Sequence, residues 1–317
     1  MRAFGQREEA AMHILLTGGT GLMGRSLCRR WAVEGHRLTV WSRSPERVPA
    51  LCGASVRGVG RLEELDGETL DAVINLAGAP IAGRLWTRRR KAVLWSSRIT
   101  LTEHLVNWLQ TRLQRPRVLV SGSAVGWYGD GGERELREDM GPVGEDFASQ
   151  LCGAWEDAAR RAEELGMRVA LLRSGMVLAP DGGFLQRLLP VFRLGLGGPL
   201  GDGRQWLSWV HIADQVALID FLLHQEDARG PYNACAPQPV RNGEFARALG
   251  QALHRPARLP APAFALRLGL GELAGLLLGG QRAVPARLCE AGFAFRFADL
   301  NTALADLLGD HRLKDAA

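Results

Sequence analysis

The segment HILLTGGTGLMG, residues 13–24, contains the features from which the fold of this chain can be predicted. An apolar run at its start predicts a buried strand. Glycines at 18, 21 and 24 follow at once and predict a tight turn, because glycine adopts backbone conformations that other residues avoid. Met23, Leu27 and Trp31 then recur every four residues, which is typical of a helix with one buried face. Strand, turn and helix in this order open a βαβ unit.

The alternation of strand and helix continues well beyond this segment. Apolar runs predict strands at 38–41, 72–76, 118–120 and 169–172, and helical patterns occupy 87–113 and 147–165. The runs are apolar throughout rather than alternating, which is typical of parallel strands buried on both faces. We therefore expect an α/β fold with a doubly wound parallel sheet.

The domain organisation follows from a change of composition after Arg173. Residues 179–204 are rich in glycine and proline. We expect a disordered extension at 1–11, a nucleotide-binding domain at 12–178 and a smaller, helix-rich substrate lobe at 179–317, with part of 205–237 returning to the sheet. The elements predicted in this lobe are a strand at 206–212 and helices at 213–223, 242–253, 264–278 and 299–308.

Composition excludes several classes of protein. The chain has 317 residues, a net charge of +5 and 46% hydrophobic residues, which excludes a disordered chain, a collagen-like chain and a small disulfide scaffold. Its five cysteines lack metal-binding spacing, so we expect no metal site. Since residues 1–11 lack an apolar core and no membrane-length apolar segment or nucleic-acid-binding motif occurs, we expect no signal peptide, membrane partner or nucleic-acid partner. We expect a cytoplasmic monomer or homodimer that binds a small-molecule substrate.

The glycine turn predicts a nucleotide-binding site. The first glycine permits the turn, the second lets backbone N–H groups approach a pyrophosphate, and the third lets helix and strand pack closely. The N-terminus of the following helix adds partial positive charge for the phosphates. Because a glycine triplet alone is often only a loop, the prediction depends on its position between a strand and a helix. The expected contacts are Gly18, Thr20, Gly21, Leu22 and Gly24.

The end of the second predicted strand indicates which nucleotide binds. A site that prefers NAD places Asp or Glu there to hold the ribose 2′-hydroxyl. This chain has Ser42 and Arg43 instead, and its next carboxylate is Glu46. A hydroxyl and a guanidinium suit a 2′-phosphate, so we predict NADP(H) as the cofactor. The alternative is that Arg43 is a solvated residue of the turn.

These segments resemble the extended branch of the short-chain dehydrogenase/reductase superfamily, which has a Rossmann fold. Residues 75–78, NLAG, are similar to the segment after its fourth strand, and residues 121–124, SGSA, to its fifth-strand serine motif. The usual catalytic pair of the superfamily is Tyr-x-x-x-Lys, in which the lysine lowers the pKa of the tyrosine. Neither tyrosine of this chain has a lysine four residues later, and Ala148 and Cys152 stand at the corresponding positions. The usual acid–base pair is therefore absent.

Longer segments resemble an atypical subgroup known as epimerase family proteins, labelled nucleoside-diphosphate-sugar epimerases, with an appended C-terminal domain of unknown function. Examples are LLTGGTGLMG (15–24), VINLAGAPI (73–81), SGSAVGWYG (121–129), LLRSGMVL (171–178) and QRAVPARLCEAGFAF (281–295). The resemblance implies an epimerase- or reductase-like fold that binds NADP, and it leaves the substrate open. It implies cofactor contacts by the glycine turn, Ser42, Arg43, Leu76, Ala77 and Arg98. A buried Arg98 requires a partner, either a phosphate or a carboxylate of the fold.

Ser123 and Tyr128 are the candidate catalytic residues. Ser123 could hydrogen-bond a substrate carbonyl or hydroxyl, and Tyr128 could supply a proton. Without a neighbouring lysine, Tyr128 would keep a pKa near about 10 and would be a poor base at neutral pH. The alternative is that Tyr128 is a structural residue of its loop.

Three arginines are candidates for binding an anionic substrate. Arg173 ends a strand at the carboxyl edge of the sheet, and Arg193 and Arg204 lie in or beside the glycine-rich segment. A mobile, solvated loop is the alternative for Arg193 and Arg204, and Glu156 could instead hold a neighbouring arginine.

Two further groups of charged residues have structural interpretations. Asp214 is predicted to cap the N-terminus of a helix. Residues 88–91, RRRK, are predicted to form a solvated face of a helix.

The sequence is therefore consistent with two functions. The first is an NADP(H)-dependent oxidoreductase or epimerase-like enzyme that works without Tyr-x-x-x-Lys. The second is a non-catalytic NADP(H)-binding protein, in which the cofactor sets conformation and partner binding. Epimerisation of nucleotide-sugars by the usual tyrosine is the least supported reaction.

Overall fold

The computed structural model of the chain describes residues 11–309, so the extension predicted at 1–11 lies outside the described residues apart from Ala11. The strands within this range are β1 His13–Thr17, β2 Arg37–Trp41, β3 Arg57–Val59, β4 Ala72–Asn75, β5 Val118–Ala124, β6 Glu135–Leu136, β7 Arg168–Ser174, β8 Met176–Ala179, β9 Trp206–Leu207, β10 Trp209–His211, β11 Gly230–Ala234, β12 Val240–Arg241 and β13 Arg282–Ala283. The helices are α1 Leu22–Val33, α2 Val48–Cys52, α3 Arg88–Trp95, α4 Leu101–Thr111, α5 Phe147–Arg160, α6 Gly183–Arg193, α7 Ile212–His224, α8 Asn242–Ala252, α9 Ala263–Leu270, α10 Leu273–Leu278, α11 Ala286–Glu290 and α12 Leu300–Leu308. Single 3₁₀ turns occupy Pro45–Arg47, Leu62–Leu65, Val125–Tyr128 and Arg161–Leu165.

Seven parallel strands form the central sheet in the order β11-β7-β5-β4-β1-β2-β3. In β1, Leu15 lies opposite Thr39 of β2 on one side and opposite Val73 of β4 on the other. The strand order reverses at β1, so a crevice opens between the loops that follow β1 and β4. Open α/β sheets bind their ligands in such a crevice. The sheet confirms the predicted doubly wound α/β fold.

Helices cover both faces of this sheet, as its apolar strands require. Ile14 and Leu16 of β1 pack on the face of α1, together with Trp31, whereas Leu15 packs on the opposite face with Leu105 of α4. All five side chains are fully buried. Apolar burial on both faces is the main stabilising contribution, at about 25 cal/mol per Å² removed from water.

A second core lies outside the central sheet. It contains Trp209, Phe245 and Phe297 and is enclosed by α6, α8 and α12. Two small pairs of strands accompany it, β8 with β10 and β9 with β12. A third pair, β6 with β13, joins the segment after β5 to the C-terminal part, and β11 pairs with β7 at the edge of the central sheet.

Three details of the predicted elements are corrected. The helix predicted at 264–278 is two helices, α9 and α10, because Gly271 between them has φ of 55°, which no α-helix accommodates. The strand predicted at 206–212 is two, since β9 pairs with β12 whereas β10 pairs with β8. The helical segment predicted at 87–113 contains a π-helical turn at Ser96–Thr100, between α3 and α4.

The predicted capping role of Asp214 is also wrong. The N-cap of α7 is His211, whose ring Nδ1 accepts a hydrogen bond from the N–H of Ala213 at 3.0 Å. Asp214 is buried in the first turn, and its two oxygens accept the N–H groups of Arg296 and Phe297, each at 2.9 Å. Asp214 therefore anchors the C-terminal segment against α7.

Across residues 11–309, no helix has the length and apolar character needed to cross a bilayer. The same range contains no cluster of three or more His, Cys, Asp or Glu side chains arranged to hold a metal ion.

Candidate functional site

The glycine turn between β1 and α1 is shaped by three close backbone approaches. Gly18 has φ of 69°, and a Cβ on it would lie 2.7 Å from the carbonyl carbon of Leu76. A Cβ on Gly24 would lie 2.4 Å from the carbonyl oxygen of Gly18, so the turn and the first turn of α1 pack without side chains between them. The turn is closed by the N–H of Gly21, which donates to the Gly18 carbonyl at 2.9 Å.

The N-terminus of α1 points its backbone donors at this turn. Gly21 is the N-cap and supplies no capping side chain, and the first turn of α1 contains no acidic residue. The first amides of a helix have no partner within it, so those of Leu22, Met23 and Gly24 are available to an anion. This is the arrangement that phosphate groups bind.

A hydrogen-bonded chain fixes the crevice beside the turn. Thr17 Oγ1 donates to Asn75 Oδ1 at 2.7 Å and accepts the N–H of Ala77 at 3.1 Å. Asn75 Nδ2 donates to Thr102 of α4 and Ser121 of β5. Asn75 is fully buried and links three neighbouring strands with a helix. Sequence reasoning placed Asn75 only within a motif, because the partners of a buried amide are not visible in a sequence.

Ser42 and Arg43 directly follow β2 at the same edge of the sheet. The Ser42 hydroxyl accepts the N–H of Ser44 at 3.2 Å, and Arg43 is exposed. No hydrogen bond or ion pair of the Arg43 side chain is found among residues 11–309. Its guanidinium is therefore available to a ligand.

Arg98 lies in the π-helical turn between α3 and α4. Its guanidinium donates to the carbonyl of Ala79 at 3.0 Å and lies 5.3 Å from the ring centroid of Trp155. Burial lowers the pKa of Arg98. The sequence predicted either a phosphate or a carboxylate of the fold as the partner of Arg98. Within residues 11–309, Arg98 has no carboxylate partner, and its hydrogen bonds go to Ser97 and to backbone carbonyls. Such π-helical turns occur often at functional sites.

Ser123, Glu156 and Arg173 form a buried cluster at the ends of β5 and β7. Ser123 Oγ donates to Glu156 Oε1 at 2.8 Å, and Arg173 donates to both oxygens of Glu156, at 2.8 and 3.0 Å. The Glu156 side chain is fully buried. Burial disfavours the charged guanidinium, but the hydrogen bonds and charge of Glu156 outweigh it and raise the pKa of Arg173. The prediction that Glu156 holds an arginine is confirmed.

Tyr128 extends this cluster away from the crevice. Its hydroxyl accepts from Arg173 Nη1 at 3.1 Å and lies 3.0 Å from the carbonyl of Arg137 and 2.9 Å from Asn233 Oδ1, to either of which it can donate. The side chain is fully buried. Burial raises the pKa of Tyr128, although the charge of Arg173 opposes the rise. The phenol therefore stays protonated at neutral pH.

Ala148 and Cys152, which the resemblance assigns to the positions of the usual tyrosine and lysine, lie one turn apart on α5 and are both buried. Burial, with a smaller effect from the charge of Glu156, raises the pKa of the Cys152 thiol to about 12. A thiol with this pKa is neither a base nor a nucleophile at neutral pH. Neither residue replaces the missing pair.

The three arginines suggested for substrate binding lie in different environments. Arg173 is enclosed by Glu156, Tyr128 and the ring of Trp127, whose centroid lies 3.4 Å from its guanidinium carbon. Arg193 ends α6 and Arg204 follows a turn, and both are exposed. Their roles in binding stay predictions.

A small cavity lies between the N-terminus of α5, the segment after β5 and α10. Its volume is about 50 Å³. Its walls include two rings, three carboxylates and a methyl group, supplied by Trp86, Phe147, Asp130, Asp146, Glu272 and Ala148. Ala148 of α5 and Gly275 and Leu276 of α10 contribute to the same lining. A larger, shallow cavity of about 330 Å³ lies between α8 and the start of α12, far along the chain from the glycine turn.

Residues 88–91, predicted to form a solvated face of a helix, are only partly solvated, because two of them contact other parts of the chain. Lys91 pairs with Glu272, and its Nζ lies 4.7 Å from the ring centroid of Phe147. Arg90 donates to the carbonyl of Pro80. The prediction holds for Arg88 and Arg89, which are exposed.

Two family models match the chain. The model described as the NAD dependent epimerase/dehydratase family matches residues 14–235. A domain of unknown function, DUF1731, matches residues 261–307.

Known proteins resemble the chain over most of its length. The epimerase family protein SDR39U1 homolog, chloroplastic, of Arabidopsis thaliana is 39% identical over 95% of this chain and 88% of its own. The epimerase family protein YfhF of Bacillus subtilis is 35% identical over 95% and 99% of the two chains. The crystal structure of human epimerase family protein SDR39U1 (isoform2) with NADPH superposes with a TM-score of 0.84, at 33% identity, over 94% of this chain and 100% of its own.

Proposed function

The chain belongs to the NAD dependent epimerase/dehydratase family, and we propose that it binds NADP(H) at the glycine turn and catalyses an oxidoreductase or epimerase-like reaction on a small substrate. The observation that carries the proposal is the uncapped N-terminus of α1 at the reversal of strand order. The human relative crystallised with NADPH supports the choice of nucleotide.

The residues of the crevice fit this cofactor. The cradle formed by Gly18 and Gly24 leaves no room for a Cβ, and the free amides of α1 face it. Arg43 offers an exposed guanidinium at the end of β2, where no carboxylate would repel a 2′-phosphate. Leu76 and Ala77 would form the wall opposite the turn, with Arg98 behind them. When bound, the cofactor would donate or accept a hydride.

Ser123 would take part as an acceptor of a hydrogen bond. A carboxylate only accepts, so the single proton of the Ser123 hydroxyl is committed to Glu156. Its oxygen retains lone pairs, which can accept a hydrogen bond from a substrate hydroxyl but cannot stabilise a substrate carbonyl. Glu156 and Arg173 would hold Ser123 in this orientation.

Tyr128 would act at a distance, as a positioning residue. Its hydroxyl bonds Arg173, which in turn holds Glu156 and Ser123. Removal of the hydroxyl would loosen this cluster without removing a group that touches the substrate. A proton would then move through the substrate itself or through water, since no tyrosine–lysine pair is present.

The second candidate is a non-catalytic NADP(H)-binding protein. It is favoured by Ala148 and by the un-ionised thiol of Cys152, which leave the usual acid–base positions without a titratable group at neutral pH. In this case the cofactor would stabilise a conformation that a partner recognises.

The test begins with NADPH and NADH titrations, followed by a screen of small carbonyl compounds for NADPH oxidation. We expect NADPH to bind more tightly and UDP- and dTDP-sugars to show negligible epimerisation. In the reverse direction, Ser123→Ala should lower the rate of NADP⁺-dependent oxidation of a hydroxyl-bearing substrate by about three- to tenfold, because it removes the oxygen that would accept the hydrogen bond of the substrate hydroxyl. Equal affinity for the two cofactors would reject the assignment. Tight NADPH binding without turnover of any compound would favour the second candidate, and brisk epimerisation would contradict the argument from the missing pair.

A further inference from the structure

Two guanidinium groups lie against the loop 78–83, which follows β4 beside the cofactor crevice. Arg98 donates to the carbonyl of Ala79 at 3.0 Å, and Arg90 of α3 donates to the carbonyl of the next residue, Pro80. Both arginine side chains are half-buried. Burial lowers the pKa of Arg98, and the positive charge of Arg90 lowers it as well. The two charges are therefore close enough to repel each other.

A third guanidinium reaches the same loop from α6. A Cβ on Gly83 would lie 2.7 Å from the guanidinium carbon of Arg187. The start of α6 also lies beside the glycine turn, because a Cβ on Gly182 would lie 2.8 Å from Cδ1 of Leu22, the first residue of α1. Arginines from three separate elements thus border the loop 78–83, next to the cofactor site.

These three positive charges have no negative partner among residues 11–309. None of the three guanidiniums forms an ion pair within that range, and Nε of Arg90 is buried there without a hydrogen-bond partner. The segments that carry the arginines, residues 76–102 and 182–201, contain no Asp or Glu. Removal of a charge from water costs free energy unless an opposite charge and hydrogen bonds compensate for it. The site therefore favours an anionic ligand.

Two carboxylates on neighbouring elements are already paired with other cations. Glu272, at the start of α10, pairs with Lys91, and Glu156 of α5 pairs with Arg173. The N–H donors of a guanidinium form a planar fork that can bond two oxygens of a carboxylate or a phosphate at once. Either of these oxyanions would match the charge and the donors around the loop.

Resting on the proposed function, we infer that the substrate carries a carboxylate or a phosphate group, which Arg90, Arg98 and Arg187 hold at the loop 78–83. The loop continues directly from Ala77, so the anionic group of the substrate would lie beside the cofactor. The reacting hydroxyl or carbonyl group would belong to the rest of the same small molecule.

Four compounds with one three-carbon skeleton test the charge preference. Glycerol, 3-amino-1,2-propanediol, glycerate and glycerol 3-phosphate end in a hydroxyl, an ammonium, a carboxylate and a phosphate. Their dissociation constants are measured by saturation-transfer NMR in protein saturated with NADPH, so that the glycine turn is occupied. We expect at least one of the two anions to bind about tenfold or more tightly than glycerol and the amine. The tighter anion identifies the chemical group. Equal affinities, or tightest binding of the amine, would overturn the inference.

Substitutions locate the anion at this loop. Arg90→Gln and Arg98→Gln should each weaken binding of the preferred anion by about tenfold, because each removes charge-assisted hydrogen bonds. Arg187 is exposed, so Arg187→Gln should weaken it by about two- to fivefold and leave the melting temperature unchanged. This variant tests the site even if loss of the half-buried Arg98 impairs folding. The control is Arg89→Gln, which removes an exposed guanidinium from the same helix as Arg90. Wild-type anion affinity in both Arg90→Gln and Arg187→Gln would contradict the inference.

Failure of this inference can be told apart from failure of the proposed function. If NADPH does not bind, the four compounds are titrated into the free protein. Anion binding that Arg90→Gln weakens and Arg43→Ala leaves unchanged would then support the inference, and the opposite pattern would reject it. Tight NADPH binding without a preference for an anion rejects the inference and leaves the proposed function standing.

Discussion

Arg173 at the end of β7 forms a two-pronged ion pair with Glu156 of α5, with N···O distances of 2.8 and 3.0 Å. Glu156 is fully buried, and the Arg173 side chain is 2% exposed. The planar guanidinium matches the carboxylate in this geometry, and further hydrogen bonds from Ser123 and Arg160 satisfy the remaining lone pairs. The pair therefore joins the sheet to α5 at the edge where the crevice opens.

We expect Glu156→Gln to lower the free energy of unfolding by about 3–5 kcal/mol, because it leaves Arg173 buried without a counter-charge. Urea denaturation measures the change. The control is Asp157→Asn, one residue away, whose side chain is 76% exposed and pairs with Arg160 at the surface. This control should lose less than about 1 kcal/mol. Similar losses of unfolding free energy in the two variants would show that the buried ion pair stabilises the fold no more than the surface pair does.

Gly24→Ala should disrupt the glycine turn. A Cβ there would lie 2.4 Å from the carbonyl oxygen of Gly18, a backbone atom that cannot move away without a change in the turn. We expect NADPH affinity to fall at least about tenfold and stability to drop by about 1–3 kcal/mol. Gly153→Ala within α5 is the matched control, since its Cβ meets open space and alanine favours the helix by about 1 kcal/mol. Calorimetric titration and thermal melting measure both effects, and wild-type affinity in Gly24→Ala would contradict the prediction.

Arg43→Ala should remove most of the preference for NADPH over NADH. A hydrogen bond to a charged phosphate is worth about 1.5–3 kcal/mol, so the preference should fall about tenfold or more. Arg37→Ala, at the opposite end of β2, also removes an exposed guanidinium and should leave the preference unchanged. Fluorescence titration with both cofactors provides the measurement. An unchanged preference in Arg43→Ala would assign the 2′-phosphate to another residue.

His211 should make the stability depend on pH. Burial lowers the pKa of His211 below its ordinary value of 6.5, and the charges of Asp306 and Asp214 only partly oppose this. The unfolded chain then binds a proton that the folded chain does not, so the stabilisation is complete above pH 6.5 and is lost as the pH falls below it. Protonation would also remove the cap on the N–H of Ala213.

The variant His211→Asn keeps a capping side chain and removes the titration, so its stability should fall less than that of the wild type between about pH 7.5 and 5.5. Part of the slope should remain, because burial also lowers the pKa of His13. His254→Asn removes an exposed imidazole and serves as the control. Denaturation at a series of pH values checks this, and parallel curves for wild type and His211→Asn would disprove it.

The sequence predicted the parallel sheet and the glycine turn at the carboxyl end of β1. Apolar runs become parallel strands because only such runs can be buried on both faces, and the glycine spacing fits a turn in which Gly18 and Gly24 pack without side chains. The predicted boundaries differ from the structure where a single residue redirects the chain, as Gly271 does between α9 and α10.

The predicted capping of α7 was wrong for a reason of the same kind. Asp214 has the right residue type near a helix N-terminus, but its carboxylate is drawn to the N–H groups of Arg296 and Phe297. Residue type and position in the sequence identify candidates for a helix cap. Tertiary packing decides whether such a side chain caps its own helix or accepts hydrogen bonds from residues distant in the sequence.

Short-range patterns were thus sufficient for the strands, the glycine turn and the exposed Ser42–Arg43 end of β2, because each depends on neighbours within a few residues. The enclosure of Arg173 by Glu156, the bond of Tyr128 to Asn233 and the pairing of Lys91 with Glu272 required the folded chain. Each joins side chains from different elements, and the free energy of a buried charge or hydroxyl depends on which partners the packing brings within about 3 Å.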